Sequence, residues 1–378
     1  MRCWPFAPGA CSARARSSTV SSQPYASGYF RTSYGQDIAL TQTRLQRISA
    51  VVFIIALIGF PFIASNFYLD LVTQVFLASI GALSLMLLTG YAGLISLGHA
   101  GLLCAGAFTA GILFKEFNTP IWLTLPAAAI VGALLGVIFG LPSLRLRGLY
   151  LAVSTLALHF VVVYLGGEYE TKRGYSTGIS IDAPEVFGYT LYGGKVWYYI
   201  LLAFAALTLL LCINLLRTRT GRAFRAIKAH ETVAEALGIN VAAYKLLAFV
   251  ISSAIAAVAG ALFAYYRSFV SVEAFSLFLT IQYVAMVIIG GMGSLLGAIL
   301  GAIFVTIFPY AIEAIILALP NAQAYAGQLF AVNYAAFGFV MILFLVYEPL
   351  GLVGIWHRIQ SYFLLWPFKH RPMAGARK

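Results

Sequence analysis

The sequence predicts an all-α membrane protein, a polytopic bundle of about ten transmembrane helices with both termini on the cytoplasmic side. Three observations carry that prediction. Of 378 residues, 61% are apolar and only 10% charged, and the mean hydropathy is +0.91; a soluble domain carries about a quarter charged residues. The apolar residues lie in continuous runs of about 20, the length a helix needs to cross the hydrocarbon core. Strands of a membrane barrel would instead alternate apolar and polar residues. Finally, the basic residues sort by membrane side once ten runs are counted.

In chain order, residues 1–47 form a cytoplasmic tail. Residues 1–29 are rich in Ser, Ala, Pro and Gly without apolar periodicity, and disorder is expected there; the charged text that normally precedes a first span begins only near Arg31. The membrane domain covers 48–347, with spans expected at 48–67, 69–88, 93–114, 121–140, 149–166, 196–216, 245–265, 275–290, 295–317 and 331–347. The first would act as an uncleaved insertion signal. Residues 348–378 form a cytoplasmic tail.

With the N-terminus inside, the cytoplasmic side receives the basic residues up to Arg47, the Arg145 and Arg147 turn, the stretch from Arg217 to Lys245, and those from Arg358 onward. The outer side keeps Lys115, Lys172, Arg173, Lys195 and Arg267, with most of the acids, including Glu168, Glu170, Asp182 and Glu185. An odd number of spans would spoil this sorting, so the positive-inside rule supports both the even count and the orientation. The net charge of +12 therefore reflects membrane sidedness. With no soluble basic domain to bind it, nucleic acid is not an expected partner. Cys3, Cys11, Cys104 and Cys212 show no CxxC spacing, and neither a disulfide framework nor a metal site is indicated.

Two stretches are dense in glycine. LTGYAGLISLGHAGLLCAGAFTAG carries Gly90, Gly93, Gly98, Gly101, Gly106 and Gly111, and IIGGMGSLLGAILGAIF carries Gly290, Gly291, Gly293, Gly297 and Gly301. Glycine at this density has two physical readings: close approach of helix backbones, or a helix broken inside the membrane so that backbone groups can meet a polar solute. Both turns fall toward the cytoplasmic side, where Gly90, Gly93, Gly98, His99, Gly291 and Gly293 are candidates for the translocation path or an inner gate. The outer loop 167–195 is too polar to be membrane-buried and is expected to be a solvated loop.

Between the sixth and seventh spans lies the cytoplasmic loop 217–245. Arg222, Arg225 and Lys228 recur at three-residue spacing on one helical face, Phe224 and Ile227 lie on another, and Gly238 supplies a helix stop after Leu237. Anionic lipid headgroups would suffice for the basic face, but not for the small and apolar AEALGIN that follows, which has the form of a docking knob. The segment GRAFRAIKAHETVAEALGINVAAYKLLAFVISSAIAAVAGALFAYY closely resembles the cytoplasmic loop and following span of branched-chain amino-acid ABC importer permeases. LLTGYAGLISLGHAG and VIIGGMGSLLGAILGA resemble other stretches of the same family, in the same order, and the likeness covers roughly 31–355.

That resemblance implies a permease of the bacterial inner membrane. Its implied partners are a second related membrane subunit, two cytoplasmic ATPase subunits, and a periplasmic solute-binding protein. It also implies that Arg222 to Asn240 contains the helix that docks on an ATPase, with Glu231, Glu235 and Gly238 its most distinctive members. The segment departs from the general EAA-x-x-x-G form, because Thr232 stands where that form has Glu.

The chain has no GxxxxGK[ST] loop to hold phosphate. No cofactor is expected on it, and ATP and magnesium would be used by the partner ATPases. An ion-coupled carrier or a channel for urea or an amide is the alternative. Carriers usually place ionisable groups within their spans, and here very few are offered, among them His99, His159 and Glu313, the last two suited to interhelical hydrogen bonding or interfacial placement. HExxH and GxSxG are absent, so an enzyme is not indicated. Leucine, isoleucine and valine are the family's default solutes. The spans offer no evident Arg for a carboxylate, which leaves zwitterion and neutral amide undistinguished.

Overall fold

The computed structural model describes residues 44–143, 148–175, 178–186, 189–317, 329–348 and 350–365. The expected N-terminal tail before Arg44, the Arg145 and Arg147 turn, and the end of the C-terminal tail lie outside them. The chain divides into two compact units, 40–355 and the remainder, and every contact discussed below belongs to the first.

A helix stands at each expected span. They are α1 (Arg44–Ile63), α2 (Asn66–Leu85), α3 (His99–Phe117), α4 (Ile121–Ser143), α5 (Leu149–Arg173), α6 (Gly194–Arg217), α9 (Val241–Arg267), α10 (Leu277–Gly290), α11 (Leu295–Leu317) and α12 (Leu329–Tyr347), with α7 (Arg219–Ala229) and α8 (Glu231–Ala236) between α6 and α9. Among the described residues, seven helices are long and apolar enough to cross a membrane, and Val51–Ile63, Leu277–Gly290 and Tyr334–Tyr347 are shorter apolar helices. The fold is thus an all-α membrane bundle.

The core centres on α9, which at 27 residues extends about 40 Å at 1.5 Å per residue and packs against α4, α3 and α2. Small residues make this possible. A Cβ at Gly106 of α3 would run into the Ala257 carbonyl of α9, and one at Gly260 of α9 into the Leu103 carbonyl of α3. The same geometry recurs where Gly290 of α10 meets Gly297 of α11. Without a hydrophobic force between helices in lipid, such backbone approach is a main source of association. Hydroxyls add interhelical bonds: Ser252 Oγ donates to the Ser84 carbonyl at 2.8 Å, and Thr124 and Tyr265 share one at 2.7 Å.

Several boundaries differ from the sequence expectation. The second span continues past Leu85 as a wide π turn, Met86–Tyr91. The third begins at His99, not at residue 93, because Gly93 takes φ +74, a left-handed backbone that no α-helix contains. The fifth reaches Arg173, so the loop expected at 167–195 is shorter. Nor is that loop simply solvated. Its β1 (Ile179–Ser180) pairs antiparallel with β4 (Phe269–Val270) just after α9, and Ile179 and Ile181 are buried in the main core. A second pair, β2 (Glu185–Val186) with β3 (Tyr189–Thr190), closes the loop. Within the expected C-terminal tail, residues Gly351–Leu365 form a further helix, α13.

Candidate functional site

The 217–245 loop folds as two short helices because its pattern changes at His230. In α7 the apolar residues share one face: Ala223, Phe224 and Ile227 are buried while Arg222 is exposed. Phe224 is fully enclosed and packs with Leu88, Ala92, Leu94, Leu151, Ala248 and Phe249. This fixes α7 against the end of the second span, the segment that follows it, and α9.

Two of the four basic residues on α7, Arg225 and Lys228, turn back onto the bundle. Arg225 donates from Nη2 to the Leu216 carbonyl at 2.6 Å and from Nε to the Gly221 carbonyl at 3.4 Å, capping the last turn of α6, where free carbonyls carry partial negative charge. Lys228 donates from Nζ to the Gly90 carbonyl at 2.5 Å, capping the π turn in the same way. Much of Lys228 remains exposed, yet its ammonium end is partly desolvated, and this burial lowers its pKa from the ordinary 10.5.

In α8, Glu231 is ion-paired with the buried Lys245 at the start of α9, and the Asn240 side chain accepts from the Ala243 amide at 3.1 Å, capping α9. These contacts hold α8 in place and leave its other face outward. Val233 and Leu237 are 54% and 75% exposed, with Glu235 and Gly238 beside them. Gly238 has φ +82, a conformation that ends the helix and that side chains resist.

The structure draws the loop and both glycine-rich stretches to one point. A Cβ at Gly93 would lie 3.2 Å from Lys228 Cγ, one at Gly90 3.1 Å from the Gly293 amide, and one at Gly293 3.7 Å from Lys228 Nζ. The Gly293 amide itself points at Met86 Sδ at 3.3 Å. Gly90, Gly93, Gly293 and Lys228 therefore form a single junction. Gly98 and Gly291 lie against other partners: the Thr155 carbonyl of α5 and, at 2.5 Å from its would-be Cβ, the Leu350 carbonyl.

His99 is 1% exposed. Its Nε2 lies 3.3 Å from Ser84 Oγ, and its ring meets the edge of Tyr283 at 4.9 Å. It stands behind Tyr283, one layer away from the cavity described next. His159 is buried against the backbone of Gly101, and its Nδ1 makes no hydrogen bond among the described residues, so the interhelical bond expected there does not form at that atom. Glu313 is exposed.

A cavity of about 280 Å³ lies between α2, α9, α10 and α11, lined by apolar side chains and by Gln74, Tyr266, Arg267, Gln282, Thr306 and Tyr310. It reaches Arg267, the last residue of α9, and so opens at the end of the bundle remote from α7 and α8. The sequence reading missed it. Arg267 counted there as an outer-side charge, and only the folding of α9 beside α2 brings it to a cavity wall. None of the glycine or histidine candidates lines this space.

Residues 67–346 match the family described as branched-chain amino acid transport system, permease component. The high-affinity branched-chain amino acid transport system permease protein LivM of Salmonella typhimurium is 30% identical over 334 residues, 82% of this chain and 75% of that protein. The Escherichia coli protein of the same description is 30% identical over 332 residues, with the same shares. A probable LivM of Methanocaldococcus jannaschii is 30% identical over 234 residues, 61% of this chain and 67% of that one. No solved structure matches significantly. With that match across most of its length and with apolar helices fit to cross a bilayer, the chain is a multi-pass membrane protein belonging to the branched-chain amino acid transport permease family.

Proposed function

We propose that the chain is the membrane-spanning permease subunit of an ATP-binding-cassette importer of the bacterial inner membrane, moving branched-chain amino acids or related small solutes inward. It is a transport subunit, and hydrolysis of magnesium-ATP belongs to its partners. These are two ABC ATPase subunits, a second related permease subunit and a periplasmic solute-binding protein, with anionic lipid around the basic cytoplasmic edge. The spans number ten, with both termini and the 217–245 loop cytoplasmic, as the basic residues sort.

The observation that carries this reading is the Lys228 junction. A cytoplasmic element with an exposed apolar knob, Val233 and Leu237, is joined by Lys228 to the turn where the second span breaks. Docked in an ATPase groove, α8 would move with that subunit. Because Phe224 and Lys228 bind α7 to the junction of Gly90, Gly93 and Gly293, the motion reaches the inner ends of the second, third, eighth and ninth spans. Alternating access follows from shifting that gate.

The test is ATP-dependent uptake of radiolabelled leucine by vesicles containing the chain with its partners. Gly238→Pro should abolish uptake, since proline's φ near −65° is incompatible with the +82 observed. Uptake that persists without the ATPase subunits would instead support an ion-coupled carrier or channel.

A further inference from the structure

We infer that the exposed side of α5, with the extended segment 92–98 that α5 holds, is the surface on which the second membrane subunit sits. This rests on the importer reading, which supplies that subunit, and says where on this chain it binds. Between the π turn and α3 the backbone is neither helix nor strand over residues 92–98. The Leu97 amide donates to Thr155 Oγ1 at 2.9 Å, and the Ala100 amide to Thr280 Oγ1 at 3.1 Å. Thr155 lies about 9 Å along α5 from Leu149, and Thr280 about 15 Å along α10 from Gly290, at 1.5 Å per residue. The segment therefore runs back into the bundle to the depth of hydrocarbon.

At that depth its exposure is costly. Ile95 is 48% exposed, and the amides of Gly93, Ile95 and Ser96 make no hydrogen bond among the described residues. Lipid cannot answer such groups, and irregular backbone at membrane depth occurs only where protein or a water-filled space covers it. The side chains of α5 point the same way. Tyr150, Val153, Ala157, Phe160 and Tyr164 form one exposed stripe down the helix, and the Tyr150 and Tyr164 hydroxyls have no partner among the described residues. On α6 the exposed Ala203, Ala206, Leu207, Leu210 and Leu211 are wholly aliphatic. Of these two helices α5 is the less apolar, so lipid is the poorer match for its exposed side. Ala157 leaves a notch between Val153 and Phe160 into which a neighbouring helix can pack closely. The ATPase subunits and the solute-binding protein lie outside the bilayer, so of the partners in the importer reading only the second membrane subunit reaches this depth. Being related, it would meet this chain about a pseudo-two-fold axis, with corresponding patches facing each other.

The test uses membranes in which the chain is expressed with all its partners and the second membrane subunit carries an epitope tag. The photoreactive residue p-benzoylphenylalanine replaces Phe160, Ile95 or, as the lipid-facing control, Leu210 of α6. On illumination, Phe160→p-benzoylphenylalanine and Ile95→p-benzoylphenylalanine should each give an adduct that carries the tag, and Leu210→p-benzoylphenylalanine should give none. Independently, Ala157→Trp should lower the amount of second subunit recovered with this chain by roughly tenfold, the scale of overpacking one interface position. Leu210→Trp should leave that recovery unchanged.

If the second subunit is recovered with the unaltered chain but Phe160 and Ile95 give adducts with lipid alone, or only Leu210 captures the tag, the surface is overturned and the importer reading stands. An adduct joining two copies of this chain would overturn the assignment of the surface to the second subunit. Failure of the unaltered chain to recover any second membrane subunit or ATPase would overturn the importer reading itself.

Discussion

The ammonium of Lys228 rests on the Gly90 carbonyl at the end of a wide helical turn, while Arg222, two positions past Thr220 on the same helix, is exposed. Replacing each by methionine should therefore separate their roles. Lys228→Met keeps the stem but leaves the carbonyl unanswered, a loss of about 1.5–3 kcal/mol for a buried charged bond and less at this partly solvated one. Leucine uptake should fall about tenfold while ATP hydrolysis continues, and Arg222→Met should change uptake less than twofold. Parallel uptake and hydrolysis assays check both. The spacing of Arg222, Arg225 and Lys228 was legible in the sequence, but not that two of them answer carbonyls of other helices. Those partners lie 138 residues away for Lys228 and across a helix boundary for Arg225. His99 illustrates the same limit: a polar ring among glycines reads as cavity-facing, yet Tyr283 closes over it.

At the scale of elements, helices were easy to read because lipid permits little else for a spanning run of 20 apolar residues. Their ends were harder. The break after Tyr91 and the reach of α5 to Arg173 depend on backbone geometry and on ion pairs such as Arg173 with Glu116 at 2.9 Å, neither of which composition records. The close-approach reading of the glycines holds at Gly106, which lets α3 touch α9 at Gly260, while Gly93 and Gly293 turn the chain with φ +74 and +99. A packing glycine should be intolerant of bulk. Gly260→Leu is expected to cost about 1–3 kcal/mol or more through overpacking, seen as a lower midpoint of thermal unfolding in detergent. Gly59→Leu, with nothing within 4 Å of its would-be Cβ, should leave the midpoint unchanged.

At the scale of the whole molecule, the sorting of charge predicts which residues meet which compartment. A single cysteine at Glu235 should react with an impermeant thiol reagent only from the cytoplasmic face, and one at Lys172 only from the outer face; labelling of right-side-out and inverted vesicles checks this, and the opposite pattern would reverse the orientation. The cavity was the least legible feature, since it is assembled from four helices whose adjacency no local pattern encodes. One further consequence follows from the length of α9. Just past its C-terminal end β4 is stitched to β1 by a two-residue ladder; near its N-terminal end Lys245 clasps Glu231 of α8. Between them runs a single stiff strut of about 40 Å with no proline inside it. A load placed on the β1–β4 ladder and a pull applied to α8 act on the same rod, so the two ends of the bundle can register each other mechanically without a relay of separate parts.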